Sequence, residues 1–207
     1  MVDAISSVGG EILDVEADRV DWCVGSANKC IEGLPGLSFV CAPRARLDAL
    51  EAIAPRTFYL NLYNQYVSTD RFQTPPFTPA VQTFYAFDVA LDLMLAEGIE
   101  ARHGRYSALA AQLRKGLADL NFRFLLPPES RSCTLTAVYL PEGVSYSDLH
   151  DKLKSKGFVI YAAQDSLKQR VFRIANMGQI TAGDIAAFLD ALRQVLVDLP
   201  PHEKAGG

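Results

Sequence analysis

The chain has 207 residues, 49% of them hydrophobic and 21% charged, with a formal net charge of −4. That length and balance describe one large or two modest globular units and exclude an extended disordered chain. Lys and Arg, 20 against 24 Asp and Glu, are scattered rather than gathered into the basic face that nucleic acid requires. No apolar run approaches the roughly 18 to 20 residues that span a bilayer, and no charged-then-apolar leader is seen, so the expected compartment is the cytoplasm and neither nucleic acid nor membrane is an expected partner.

In chain order, Met1–Ile5, Asp21–Gly25 and Leu37–Ala42 are short apolar runs bounded by Gly, Pro or Ser, and they predict three buried strands. Arg44–Ile53 predicts a short helix, and Thr57–Pro79, ending in FQTPPFTP, an extended aromatic-rich loop. The period then changes. Phe84, Phe87, Leu91, Met94 and Leu95 fit one face of a helix, and after Gly98 so do Tyr106, Leu109, Leu113, Leu117 and Leu120. Beyond them, strands are predicted at Asn121–Leu126, Ser132–Tyr139, Gly157–Ala162 and Arg170–Ala175. Helices are predicted at Asp148–Ser155 and Asp184–Leu196, each preceded by a Ser or Thr three residues before an Asp, at Ser145/Asp148 and Thr181/Asp184. The tail 200–207 is expected to fray. The fold class is α/β, with a first domain over 1–97 and a smaller α+β domain over 98–207.

The cysteines at 23, 30, 41 and 133 include no CxxC pair for zinc and are expected to be reduced and mostly packed. Histidines 103, 150 and 202 lie far apart without a metal-type partner at three or four residues, so no metal is expected and each reads as a surface or helix residue.

Lys29 stands out within SANKCIEGLPG (26–36), a small-polar run closed by glycines on the loop between the second and third strands. A lysine so placed is presented for covalent attachment to an aldehyde rather than solvated on a helix face. Asp3 precedes it by 26 residues, ahead of Ser6, Ser7, Gly9 and Gly10. An acid that can face a pyridine nitrogen, together with a lysine that can face an aldehyde, is the minimum a protein supplies for pyridoxal phosphate chemistry. Ser26 and Asn28 either orient the lysine or shape the turn.

Five motifs occur in order: DAISSVGG (3–10), VGSANKCIEGLPG (24–36), YLNLYNQY (59–66), FTP (77–79) and FRIANMG (172–178). Together they resemble the class V group of fold-type I aminotransferases. The wording around the lysine resembles the branch that takes an aminophosphonate as donor and a 2-oxo acid as acceptor, more than the alanine–glyoxylate or serine–pyruvate branches. The resemblance implies the pyridoxal-phosphate transferase fold, with part of the large-domain sheet followed by the small domain. It implies Lys29 as the cofactor lysine and proton carrier, Asp3 against the ring nitrogen, and Ser26 beside the cofactor. It also implies that Thr78 reaches the phosphate of a neighbouring subunit in a homodimer and that Arg173 grips the anionic end of the substrate. Competing readings are local: Thr78 could start the helix after Pro79, and Arg173 could sit in a salt bridge at a strand end. A desulfurase is disfavoured, because Asn28 rather than His precedes the lysine and Cys133 falls in a predicted strand. The family's glycine-rich phosphate loop and stacking aromatic have no counterpart ahead of Asp3, so a fragment, a split gene product or an internal start is expected. A non-catalytic assembly subunit is the alternative from a different class.

Overall fold

The computed structural model describes residues 1–199; the expected fraying of 200–207, and His202, fall outside the described residues. Two compact units are present, Met1–Ile99 and the remainder from Glu100 on.

The first unit is built on a three-stranded sheet in the order β1 (Val2–Asp3), β2 (Cys23–Ser26), β3 (Ser38–Cys41). β1 runs parallel to β2, with Val2 beside Cys23 and Asp3 beside Val24. β3 returns antiparallel, with Cys23 opposite Cys41, Gly25 opposite Phe39 and Ser26 opposite Ser38. Alternation along β2 buries Cys23 and Gly25 on one face. Gly25 leaves room there for the Phe39 ring, which stacks on Phe87 at 5.6 Å between centroids. The expected helix at 44–53 is a five-residue α1 (Arg44–Asp48) followed by a 3-10 turn, Ala49–Ala52.

The expected loop at 57–79 contains a helix, α2 (Leu62–Asp70), started by the Asn61 side chain, which accepts a hydrogen bond from the Asn64 amide at 3.1 Å. None of its residues is buried, so it carries no apolar stripe from which a helix could be read. The helix α3 (Val81–Glu97) is where expected, but its buried face is shifted. Ala90 and Met94 are buried with Ile31, and Val8, Phe39, Phe87 and Leu91 pack around them. At about 100° per residue, Phe87, Ala90, Leu91 and Met94 share one arc and Phe84 and Leu95 fall past its edge; these two are 52% and 70% exposed.

The second unit begins with α4 (Ile99–Asp119), which buries Arg102, Tyr106, Leu109, Ala110, Leu113 and Leu117. The strand expected at 121–126 does not form. Asn121 is left-handed (φ 62°), Phe122 turns into the core, and a single bridge, Phe124 to Val138, replaces a ladder. The sheet of this unit is antiparallel in the order β4 (Leu135–Tyr139), β6 (Val171–Ala175), β5 (Tyr161–Ala162). β5 is shorter than expected because the chain before it closes the end of α5 (Tyr146–Ser155). Gly157 adopts φ 89° and the Phe158 amide donates to the Leu153 carbonyl at 3.0 Å. Ser145 caps α5, and Thr181 with Asp184 forms a reciprocal capping box at the start of α6 (Ala182–Asp198). Leu113, Leu117, Val138, Leu149, Leu153, Phe172 and Leu192 form the centre of its core.

The four cysteines are free thiols, three buried and Cys41 exposed. His103 lies on α4 and His150 on α5, as expected of helix residues. No helix among the described residues is long and apolar enough to cross a membrane.

Candidate active site

Parallel pairing brings the two residues singled out in the first unit to one edge. Asp3 ends β1 beside Val24, and Lys29 lies in the turn that leaves the carboxyl end of β2, five positions after Val24. In open α/β sheets the carboxyl ends of parallel strands are where ligands bind. Asp3 is exposed; one carboxylate oxygen accepts from the Ile5 amide at 3.0 Å, and the other has no partner among the described residues. Lys29 is half-buried, and its ammonium makes no hydrogen bond or ion pair with any described residue.

The turn that holds Lys29 is fixed by its own backbone. The Ala27 amide donates to Leu37 at 3.1 Å, Gly33 to Ala27 at 2.8 Å, and Glu32, left-handed at φ 67°, to the Lys29 carbonyl at 3.0 Å. Ser26 Oγ donates to Asn28 Oδ1 at 2.5 Å and lies 3.5 Å from the Leu37 carbonyl. Beneath it, Ala4, Ala27 and Cys30 are fully buried and Cys30 Sγ donates to the Ser6 carbonyl at 3.2 Å. That thiol contact joins the DAISSVGG and SANKCIEG segments. It is not legible in the motif wording, where position 30 reads only as a packed cysteine.

Thr78 is exposed and has no hydrogen-bond partner among the described residues. It does not start the helix after Pro79: Ala80 occupies that cap position, without a side-chain bond. In the second unit, Arg173 is the central residue of β6, opposite Ala137 on β4 and Tyr161 on β5. Its Nε donates to the Ala162 carbonyl at 3.0 Å, and it forms no ion pair with a carboxylate among the described residues.

The segment after Arg173 is clamped in a way the sequence did not announce. Asn176, fully buried, donates through Nδ2 to the carbonyls of Tyr106 (3.2 Å) and Cys133 (2.9 Å). The Gly178 amide donates to the Tyr106 hydroxyl at 3.3 Å and the Gly178 carbonyl accepts from Arg105 at 2.9 Å. These bonds tie the end of β6, and hence the strand that carries Arg173, to α4 within the second unit. The only signal available was the presence of Asn176 inside FRIANMG.

In the first unit, a lysine amine and a carboxylate oxygen that have no partner among the described residues lie at one sheet edge; in the second unit, the guanidinium of Arg173 has no carboxylate partner among the described residues. The class-V aminotransferase family model matches residues 1–182, and the chain belongs to that family. Pyridoxal phosphate is the cofactor of this class. The chain is 40% identical over 200 residues to the 2-aminoethylphosphonate–pyruvate transaminase of Salmonella paratyphi B, covering 95% of this chain and 54% of the relative. The enzyme of the same description from Salmonella enteritidis matches to the same extent. Among solved structures, pyridoxamine–pyruvate aminotransferase from Mesorhizobium loti superposes with a TM-score of 0.89 at 30% identity, over 96% of this chain and 52% of its own. Ureidoglycine–glyoxylate aminotransferase from Bacillus subtilis gives 0.90 at 23% identity over 99% of this chain and 54% of its own, a likeness of fold alone. The chain therefore spans about half the length of the curated relatives it matches.

Proposed function

We propose that the chain carries the cofactor lysine and the substrate arginine of an aminotransferase that moves the amino group of 2-aminoethylphosphonate to pyruvate, giving phosphonoacetaldehyde and alanine. The observation that carries this reading is the amine of Lys29, without a partner among the described residues, at the carboxyl edge of β1 and β2, where Asp3 also lies. The donor set fits the cofactor: the amine suits its aldehyde, and the free carboxylate oxygen of Asp3 suits its ring nitrogen. Bound there, pyridoxal phosphate supplies the electron sink for the bond broken at the substrate carbon.

The residues do the rest. Lys29 Nζ holds the cofactor in the resting enzyme and, once substrate amine has replaced it, takes a proton from the substrate carbon bearing nitrogen and delivers it across the reacting system. Asp3 keeps a proton on the ring nitrogen, because an adjacent carboxylate favours the charged pyridinium. Ser26 holds Asn28 and so the entry to the lysine turn, next to the cofactor. Arg173 presents a guanidinium fork to the anionic end of the substrate, a geometry a lysine cannot offer. Thr78, exposed and without a hydrogen-bond partner among the described residues, reaches the cofactor phosphate of a neighbouring subunit, which makes the working unit a homodimer. The donor rests on the 40% identity to enzymes of that description.

Addition of pyridoxal phosphate to the protein is expected to give an absorption band at the violet edge of the visible that Lys29→Ala abolishes. Absence of the band, or its persistence in Lys29→Ala, would refute the assignment.

A further inference from the structure

We propose that Cys23 and Cys41 form an oxidisable dithiol site, a cross-strand pair that a peroxide closes into an intramolecular disulfide around the Lys29 turn. The two residues are directly opposite one another on the antiparallel strands β2 and β3. Directly opposed side chains share a face of the sheet, and two positions further along the same pair of strands the Phe39 ring lies over Gly25. Opposed Cα atoms in an antiparallel ladder are about 4.5 to 5.5 Å apart, within the span of about 4.4 to 6.8 Å that disulfides bridge. The Cβ atoms need to approach by about 0.7 to 1.7 Å to reach the usual disulfide separation. Cys41 has the freedom for that. It is the last residue of β3 and leads into Ala42 and Pro43. Just beyond the pair, Arg46 Nε meets Asp21 Oδ1 at 2.9 Å, which holds the two flanking segments together at that end.

The two thiols are unequal in the way a peroxide reaction requires. Cys41 is exposed and meets the oxidant first, whereas Cys23 is 2% exposed and is sheltered from it. Burial, with a smaller contribution from neighbouring Cys41, pushes the Cys23 thiol up, so it waits as the protonated partner. The other two cysteines are buried, and Cys30 Sγ is held on the Ser6 carbonyl. In the first step the Cys41 sulfur attacks hydrogen peroxide, the O–O bond breaks, and sulfenic acid and one water result. In the second, the Cys23 sulfur attacks the Cys41 sulfur, the S–O bond breaks, and the hydroxyl leaves with the Cys23 proton as a second water. Two thiols have lost two protons and two electrons, and one peroxide has become two waters. The bridge closes a covalent ring around residues 24–40, which include Lys29, at the end of β2 and β3 away from the turn.

The test treats the purified chain with equimolar hydrogen peroxide, blocks remaining thiols by alkylation and maps tryptic peptides without reduction. Cleavage after Arg19, Lys29 and Arg44 places Cys23 in peptide 20–29 and Cys41, with Cys30, in peptide 30–44. The expected product is these two peptides linked, lighter than their sum by two hydrogens, with fragmentation between Cys30 and Cys41 placing the bridge at Cys41. Dithiothreitol should release it, Cys41→Ser should abolish it, and Cys23→Ala should leave Cys41 as sulfenic acid, which a second equivalent of peroxide carries on to sulfinic acid. A Cys41 that stops at sulfenic or sulfinic acid in the unsubstituted chain, or a bridge to Cys30, Cys133 or a second chain, would overturn the proposal. None of these readouts depends on cofactor or activity.

Discussion

Gly25→Ala is the sharpest test of how the lysine turn is built. A Cβ at position 25 would sit 2.6 and 2.9 Å from the Cε2 and Cε1 atoms of Phe39, and closer still to Cζ. The ring has little room to move aside, because it stacks on Phe87 at 5.6 Å with an interplanar angle of 27°. Overpacking of this kind costs about 1 to 3 kcal/mol, offset by about 0.5 to 1 kcal/mol from the lower entropy of the unfolded alanine chain. A net loss of up to about 2.5 kcal/mol is expected, about 1 kcal/mol at the middle of these ranges, which at a slope of about 2 kcal/mol/M lowers the urea midpoint by about 0.5 M. Trp22 is the single tryptophan of the chain and immediately precedes β2, so its fluorescence reports the unfolding of the first unit. Phe39→Leu in the same chain should recover much of the loss, a coupling a double-mutant cycle measures. An unchanged or raised midpoint for Gly25→Ala, or additivity of the two changes, would refute the packing argument.

Gly116→Ala is the counterpart in the second unit: its Cβ would meet the Leu189 side chain, with Leu189 Cγ at 3.0 Å, and the overpacking cost of about 1 to 3 kcal/mol less the helix gain of about 1 kcal/mol leaves a loss of up to about 2 kcal/mol in chemical unfolding, coupled to Leu189→Ala in a double-mutant cycle. Thr181→Ala removes the α6 cap and should cost about 1 kcal/mol in the same assay. The Thr181 hydroxyl and amide hold the Asp184 carboxyl below its usual range; with a folded value below the unfolded one, its contribution is present above the ordinary carboxylate range and lost as pH falls through the folded value. Asp184→Asn should therefore flatten the acid limb of a stability–pH profile. In the assembled enzyme, Arg173→Lys should raise the substrate requirement by a factor corresponding to about 1.5 to 3 kcal/mol, while Thr78→Ala should weaken cofactor retention; unchanged kinetics or retention would remove those roles.

The three strands of the first unit were legible because each is a short apolar run between breakers, and α4 because its leucines repeat at helical spacing over three turns. α2 was hidden because a helix with no buried residue has no stripe; its one signal was Asn61 in a capping position, drowned by the prolines that follow. The false strand at 121–126 had the right apolar content, but a left-handed Asn121 and the burial of Phe122 take those residues out of the ladder. Lys29 and Asp3 were legible as motif residues, yet their common edge depends on the parallel register of β1 and β2, which no local pattern encodes. The opposition of Cys23 and Cys41 depends likewise on a register counted back from the Ser26–Ser38 pair. The clamp at Asn176 needed the tertiary packing of β6 on α4.

Reduction with borohydride in the presence of stoichiometric pyridoxal phosphate, followed by tryptic mapping, tests the central assignment most directly. The assignment predicts a pyridoxyl group on Lys29, seen as an uncut peptide 20–44 because trypsin does not cleave at the modified lysine. A label on another lysine, or intact cleavage after position 29, would contradict it.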